Sequence, residues 1–301
     1  MTFFDINTTG DDVLKHFYVY AEGKTFVITG PSEMASEPSL QSHSHLQTQE
    51  NYSQKIKTLT DKIHILINNA GVMAVKHYAT SVEGVESQFA ANYLGHFLLT
   101  NLLAKEIVAA ASEGARIVQV GSLGYQLGET HIEDINFKDG ETYNPWIAYG
   151  QAKTAMLLFN LALDKRLKQK GITALICHPG VTLESKLLVN SSVDNDSFVD
   201  AYVLAIKRND GKKPASPTSH GDFETSSRSR AFHGSESISN RSETPNPESA
   251  HPLTLNSTEA APAFIVENEI YTETKEYALN EETAEGLWKL SEKLVGETFV
   301  Y

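Results

Sequence analysis

The chain has 301 residues, of which 41% are hydrophobic and 21% are charged, and its formal net charge is −13. This length suits one large α/β domain or two small domains, and it allows a buried core without disulfide or metal staples. The negative charge argues against sequence-independent binding to nucleic acid, because phosphates would be repelled.

The cysteine content and the apolar runs bear on the compartment. Cys177 is the single cysteine, which excludes a disulfide framework and a cysteine-based zinc site and favours a reducing compartment. No run of about 18 apolar residues occurs, so we expect no membrane span. The first twelve residues lack a basic segment and a long apolar segment, so we expect no secretory signal. We predict a cytoplasmic protein.

Short apolar runs that end at Gly, Asn, Ser or Pro predict the strands, and longer stretches with apolar residues at helical spacing predict the helices. A polar, aperiodic stretch, 31–52, is predicted to be a loop, and 54–59 could be the end of a helix. The predicted strands are 24–29, 62–67, 116–120, 172–177 and 263–266, and the predicted helices are 86–110, 146–168 and 281–295.

The alternation of strands and helices predicts an α/β fold, with a Rossmann-like, doubly wound parallel sheet that helices cover on both faces. In such sheets, ligands bind at the carboxyl ends of the strands. We divide the chain into an N-terminal extension (1–23), a Rossmann-like domain (24–206, anomalous at 31–55), a disordered insertion (207–262), and a C-terminal strand and helix of the same domain (263–301). The insertion is rich in Ser and Pro and poor in aromatic residues, so it cannot offset its ordering entropy by burial.

Tyr149 and Lys153 stand four residues apart on one predicted helix, so they share a face. A phenol with a pKa near 10 is a poor acid-base group at neutral pH, but a nearby ammonium favours the phenolate and lowers that pKa. Ser122, at the end of the preceding strand, is placed to hydrogen-bond the same substrate oxygen. A tyrosine and a lysine four residues apart are common on helix surfaces. This pair gains weight because it follows a strand that ends at Ser122.

Several motifs together make the chain resemble a classical short-chain dehydrogenase/reductase, in the retinol-dehydrogenase-like branch. The resemblance covers about 62–188 and 263–301. It implies a Rossmann fold and hydride transfer between a nicotinamide and a carbonyl or alcohol. The motifs are Asn68-Asn69-Ala70-Gly71, Asn92-Tyr93-Leu94-Gly95-His96-Phe97, Val120-Gly121-Ser122, Tyr149 to Lys153, His178-Pro179-Gly180-Val181 and Leu287-Trp288-Lys289-Leu290-Ser291.

The resemblance also implies a role for each site residue. Tyr149 would be the acid in reduction and the base in oxidation, Lys153 would lower its pKa and bind the nicotinamide ribose, and Ser122 would hold the reacting oxygen. Asn92 would complete a water-linked proton relay. Asn69 could instead chiefly tie neighbouring strands together, and Gly180 could only permit a tight turn. The implied cofactor-binding residues are Gly30, Asn69, Gly71, Tyr149, Lys153, Pro179, Gly180 and Val181.

The cofactor-binding half departs from the family. The family follows its first strand with Thr-Gly-x-x-x-Gly-x-Gly, which lets the pyrophosphate approach a helix N-terminus. Here Thr29-Gly30 is followed by no glycine until Gly71, and the second and third strands of the family cannot be identified. The first strand could therefore become an unpaired edge unless 31–52 covers it. The codons for Met34-Ala35 must begin ATG-GC, and reading them two bases later gives GGC, a glycine codon. A frame or splice error in the coding sequence is therefore one hypothesis for the missing glycines.

Two hypotheses of function follow. The first is an oxidoreductase that uses NADP or NAD to interconvert a ketone and a secondary alcohol, with a small molecule as its substrate. The second is a catalytically silent relative, which would be an interaction or regulatory protein or the product of a defective reading frame. The oligomeric state stays open, with a homodimer through the two long helices as one option. We expect no metal site, because His43 and His45 lie in a polar stretch without further ligands.

Overall fold

Five parallel strands and one antiparallel strand form a single sheet in this computed structural model, which describes residues 18–30, 46–180, 262–266 and 269–301. Within these residues the spatial order of the strands follows the chain order, and only the β5–β6 pair is antiparallel. The sheet confirms the predicted α/β class. The strands are β1 (Phe26–Ile28), β2 (Ile65–Asn68), β3 (Arg116–Val120), β4 (Thr173–Cys177), β5 (Phe264–Val266) and β6 (Glu269–Ile270).

Helices occur at all three predicted places. The predicted helix 86–110 is divided into shorter segments, and a further helix lies at 46–59. The 281–295 helix has the predicted bounds, and the long helix starts and ends one residue before its prediction. The α-helices are α1 (Leu46–Leu59), α2 (Ser87–Phe89), α3 (Gly95–Leu102), α4 (Ala104–Ala109), α5 (Pro145–Leu167) and α6 (Glu281–Val295). Short 3₁₀ segments cover Ala111–Glu113, Leu123–Leu127, Lys168–Lys170 and Glu276–Leu279.

Alternation along each strand divides the apolar residues between the two faces of the sheet. Leu66 of β2 points into the larger core, which α3, α5 and α6 help to build, whereas its neighbours Ile65 and Ile67 join a smaller cluster on the other face. A ring cluster around Phe97 closes the larger core, with Phe159 and Trp288 as its neighbours. Both faces of the sheet therefore carry apolar side chains, as near-continuous apolar strands predict, and among the described residues helices join only the larger core.

Local signals explain why the longest helix, α5, forms where it does. The Asn144 side chain accepts hydrogen bonds from the main-chain N–H groups of Trp146 and Ile147, both at 3.0 Å, and Pro145 occupies the first turn. These are typical signals of a helix start. At the other end, Gly171 adopts a left-handed conformation with φ 78°, which favours glycine after a helix.

The predicted helix 86–110 is not continuous. Its first turn, which the buried carboxylate of Glu86 caps, leads into a π-helical turn at Ala90–Leu94, where the N–H of Gly95 bonds to the carbonyl of Ala90. The chain breaks again at Leu103 before α4. Apolar spacing does not reveal such an insertion, because the same face stays buried on both sides of it. Wider turns of this kind are frequent at functional sites.

Two other predictions about local structure are corrected. The stretch 31–52 is not loop throughout, because α1 begins at Leu46, whose N–H donates to Glu83. This helix is polar on average, and Ile56 and Leu46 hold it by packing on the larger core, so tertiary contact outweighs its weak sequence signal. The short strand β6, which forms a hairpin with β5, was not predicted.

β1 forms one edge of the sheet within the described residues. It pairs with β2 alone, and its side chains Phe26 and Ile28 are 38% and 44% exposed. The prediction left open whether 31–52 covers this edge, and most of that stretch, 31–45, is not described. The anomalous stretch up to 45, the predicted insertion as far as 261 and the pair His43/His45 lie outside the described residues. The described helices include none long and apolar enough to cross a membrane, and the described part of the chain holds no cluster of potential metal ligands.

Candidate active site

Ser122, Tyr149 and Lys153 meet at the carboxyl ends of β3 and β4. Ser122 follows β3 directly, and α5 runs across the same end of the sheet with Tyr149 in its first turns. The Ser122 hydroxyl hydrogen-bonds the Tyr149 phenol and accepts the N–H of Gly124 at 3.0 Å. The structure therefore brings together the serine, tyrosine and lysine that the sequence singles out.

The Tyr149 phenol is buried, and burial decides its acidity. Removal from water raises its pKa to about 12, and the hydrogen bond from Ser122 offsets only part of that rise. The expected lowering by the Lys153 ammonium is not what governs this phenol, because that ammonium lies 5.7 Å from the ring centroid and bonds elsewhere. At neutral pH, the phenol of this structure is protonated and can donate a proton.

The Lys153 ammonium is a buried cation with one strong acceptor. It donates to the main-chain carbonyl of Val120 at 2.9 Å, and the Met156 sulfur, a weak acceptor, lies at 3.6 Å. Burial lowers its pKa to about 8. An ammonium has three N–H donors, so within the described residues this side chain has donor capacity to spare, directed at the end of the sheet.

His178 lies in the site. It is part of a motif that the sequence analysis lists, but no role was predicted for it. Burial and, to a smaller extent, the nearby Lys153 cation together lower the pKa of its ring to about 4. Neither ring nitrogen has a hydrogen-bond partner among the described residues. The position of His178 directly after a buried strand was the signal that could have identified it. Its neighbour Cys177 is buried, which raises the pKa of the thiol to about 12, so the thiol is unreactive.

Three glycines position the tyrosine, and sequence reasoning missed them. A side chain on Gly124 would come within 2.6 Å of the Tyr149 ring. A Cβ on Gly150 would lie 2.2 Å from the backbone nitrogen of Gly128, so α5 packs backbone to backbone against the segment after Ser122. A glycine inside a helix costs about 1 kcal/mol, and that cost was the available signal of a packing role.

Asn92 uses its side chain to hold a loop. Its Oδ1 accepts the N–H of Val72 at 2.7 Å, and its Nδ2 donates to the Val72 carbonyl at 2.9 Å. A Cβ on Gly71 would lie 2.9 Å from the same Oδ1, so glycine is required there. The predicted role of Asn92 in a proton relay stays a prediction, and any such role would fall to its main-chain carbonyl, which sits in the π-helical turn.

Asn69 and Gly30 join the ends of β1 and β2. The Asn69 side chain donates to the carbonyls of Thr29 and Gly30 at 3.0 and 3.2 Å, which supports the structural alternative for this asparagine. Gly30 has φ 61°, and a Cβ there would lie 2.9 Å from Cα of Ala70. Gly30 is therefore explained by its own packing.

Pro179 and Gly180 lie at the end of β4, beside His178. Gly180 has φ 80° with no atom within 4 Å of an added Cβ, so its backbone conformation favours glycine while the space around it is open. Val181, the last of the predicted cofactor-binding residues, lies outside the described residues.

Comparison with known proteins is consistent with this arrangement. The family model "short chain dehydrogenase" matches residues 41–134. Human retinol dehydrogenase 13 is 41% identical over 136 residues, which cover 45% of this chain and 40% of that protein. Human polyprenol dehydrogenase is 41% identical over 134 residues, or 43% of this chain and 40% of that protein. A crystal structure of an uncharacterized protein from Mycobacterium paratuberculosis superposes with a TM-score of 0.52 at 25% identity, covering 88% of this chain and 76% of that one.

The matched part of the chain is similar to short-chain dehydrogenases, and within them to proteins named retinol dehydrogenase. The matched segments span less than half the length of these curated relatives.

Proposed function

We propose that the protein is an NAD(P)-dependent oxidoreductase that transfers hydride between a nicotinamide and a ketone or secondary alcohol, with Tyr149 as the acid-base group. The observation that carries this proposal is the buried Tyr149 phenol, hydrogen-bonded to the Ser122 hydroxyl at the carboxyl end of the sheet. The similarity of residues 41–134 to the short chain dehydrogenase model supports the reaction class.

The protonation state of Tyr149 favours carbonyl reduction. A substrate carbonyl held by the Ser122 hydroxyl would receive its proton from the neutral phenol as negative charge develops on the oxygen. The protonated Lys153 ammonium, 5.7 Å from the Tyr149 ring centroid, would add only a weak stabilisation of the phenolate that remains. In the oxidation direction the phenol would first have to lose its proton, which a pKa of about 12 disfavours at neutral pH.

The residues around Lys153 fit the nicotinamide–ribose end of such a cofactor, which supplies or accepts the hydride when bound. The spare donors of the Lys153 ammonium suit sugar hydroxyls, and the unpartnered His178 nitrogens lie beside it. Pro179 and Gly180, at the same sheet end, would border the ring. At the phosphate end, the space beside Gly30 is occupied by Ala70. The glycines that the family places after this position are missing from the sequence. NADP and NAD therefore both stay open.

The substrate class follows from the relatives. Proteins named retinol dehydrogenase and polyprenol dehydrogenase are similar to the matched half of this chain. We propose an apolar carbonyl or alcohol as the substrate, with retinal as a first probe. The cytoplasmic location remains a prediction.

A catalytically silent relative is the second candidate. It is favoured by the exposed edge at Phe26 and Ile28, since within the described residues the sheet ends at β1 and offers no further strand for the adenosine half of a dinucleotide. In that case the protein would bind a partner instead of turning over a substrate.

Replacement of the phenol separates the two candidates. With retinal and either NADPH or NADH, we expect wild-type turnover, and Tyr149→Phe is expected to lower kcat by about 100-fold or more with cofactor binding nearly unchanged. Tyr93→Phe is the matched control, because its buried hydroxyl bonds Ser291 at 2.6 Å on the α6 side. No turnover by the wild type with a panel of apolar carbonyls would favour the silent relative, and an equal loss in both variants would remove the acid-base role of Tyr149.

A further inference from the structure

Two consecutive hydrogen bonds link the end of β1 to the π-helical turn through the buried ring of His96. The Thr29 hydroxyl lies 3.0 Å from His96 Nε2, and His96 Nδ1 lies 3.0 Å from the main-chain carbonyl of Asn92. His96 is 3% exposed. The reaction proposed above does not use this ring.

The partners of Thr29 determine which ring nitrogen carries the proton. The Thr29 oxygen accepts the main-chain N–H groups of Asn69 and Ala70, both at 2.9 Å. A hydroxyl has two acceptor sites and one proton, so its remaining role is to donate. His96 Nε2 must then be the acceptor, which leaves the proton on Nδ1, where it is donated to the Asn92 carbonyl.

We infer that His96 is a positioning residue, a neutral ring in the Nδ1–H form that fixes the Asn92 carbonyl, and with it the π-helical turn, to the end of β1. The catalytic part of this inference rests on the proposed function, whereas the tautomer does not. The ring connects the ends of β1 and β2, which Gly30 and Asn69 follow, to the π-helical turn. The Asn92 side chain of that turn holds the 71–72 loop. A displacement of about 1 Å at such a turn can cost roughly 100-fold in rate without contact with substrate.

His64 provides a matched control within the same molecule. It is also buried, at 4% exposure, and it also binds the first strand. Its Nδ1 accepts the N–H of Thr25 at 2.9 Å, and its Nε2 lies 2.8 Å from the Glu113 carboxylate. His64 therefore carries its proton on Nε2, opposite to His96, and it lies at the other end of the strands from the site.

The first experiment is the ¹⁵N spectrum of the two rings in the wild-type protein at neutral pH, which distinguishes protonated from unprotonated ring nitrogens. We expect the proton on Nδ1 in His96 and on Nε2 in His64. His96 with its proton on Nε2, or on both nitrogens, would overturn the inference, and this holds whether or not the protein shows oxidoreductase activity.

The second experiment uses two substitutions that each retain one half of the ring's hydrogen bonding. His96→Asn places an amide near the Nδ1 position and can keep the bond to the Asn92 carbonyl, whereas His96→Gln places one near Nε2 and can keep only the bond to Thr29. We expect both substitutions to lower kcat by about tenfold or more with KM within about threefold, because each retains only one of the two bonds through which the ring joins the π-helical turn to β1.

A purely structural role predicts a different result. A loss in His64→Gln of the same size would show that stability alone is affected, and wild-type kcat in either His96 variant would show that the link is not needed; both results would overturn the positioning role. If the wild type turned over no substrate, the proposed function would fail, and the tautomer of His96 would still decide whether the hydrogen-bonded chain is correct.

Discussion

The Lys153 ammonium donates a hydrogen bond of 2.9 Å to the main-chain carbonyl of Val120, the last residue of β3. Because of this bond, the buried cation lies at the end of the sheet and not at the phenol of Tyr149, which is four residues earlier in the chain. The cation is stabilised by one carbonyl and a weak sulfur contact, so its burial is only partly compensated. The lowered pKa of Lys153 reflects that incomplete compensation.

The lowered pKa of Lys153 predicts a pH dependence of stability. Its pKa is about 8 in the folded protein, whereas a lysine in water has a pKa of 10.5, so between these values the unfolded chain binds more protons than the folded one. The free energy of unfolding should therefore rise with pH. Relative to Lys153→Met, which cannot titrate, we expect the wild type to gain about 2 kcal/mol between pH 8 and 10, measured by urea denaturation. A difference between the two proteins that is flat across this range would contradict a buried, charged Lys153.

The contact between Gly150 and Gly128 predicts a sharp difference between two glycine substitutions. In Gly150→Ala the new Cβ would meet backbone atoms at 2.2 Å, which cannot move aside, so we expect a loss of about 3 kcal/mol or more, or failure to fold. In Gly286→Ala the Cβ meets only the flexible end of Ile132 at 2.9 Å, and the helix gains propensity, so stability should be unchanged or rise by up to about 1 kcal/mol. Thermal denaturation of both variants checks this, and a tolerated Gly150→Ala would mean that α5 does not pack as closely as described.

The exposed edge of β1 predicts self-association. Ile28 is 44% exposed on a strand whose outer side has no partner strand among the described residues, and such edges template pairing with other chains. We expect concentration-dependent association of the wild type in light scattering, and its reduction in Ile28→Lys. Val82→Lys is the control, since Val82 is 68% exposed away from any strand. If both substitutions have the same effect, general hydrophobicity and not the strand edge is responsible.

The five parallel strands and the meeting of Ser122, Tyr149 and Lys153 could be predicted from sequence because each carries a local signal. Apolar runs such as 172–177 end at a turn residue, and they can be recognised without knowledge of their neighbours. Tyr149 and Lys153 share a helix face through spacing alone. The common geometry of parallel sheets then places Ser122 at the same end.

The features that the sequence did not reveal depend on contacts across the fold. The end of α1 at Leu59 agrees with the predicted helix end at 54–59, but its start at Leu46 was missed, because that half is polar with little periodic signal and is held by packing on the core. The raised pKa of Tyr149 arises from burial, which spacing along a helix cannot report. The role of Gly150 depends on Gly128, 22 residues earlier in the chain, and the link from Thr29 to His96 spans 67 residues.

Binding of the reduced cofactor tests the central claim most directly. Titration of the full chain with NADPH and with NADH, followed by calorimetry, is expected to give a dissociation constant below about 100 µM for at least one of them, which corresponds to about 5.5 kcal/mol of binding free energy. Lys153→Met should weaken that binding, because the spare donors of the ammonium are its proposed contact with the ribose. Absence of binding by both nucleotides would contradict the account of this protein as an oxidoreductase and would leave the silent relative as the better description.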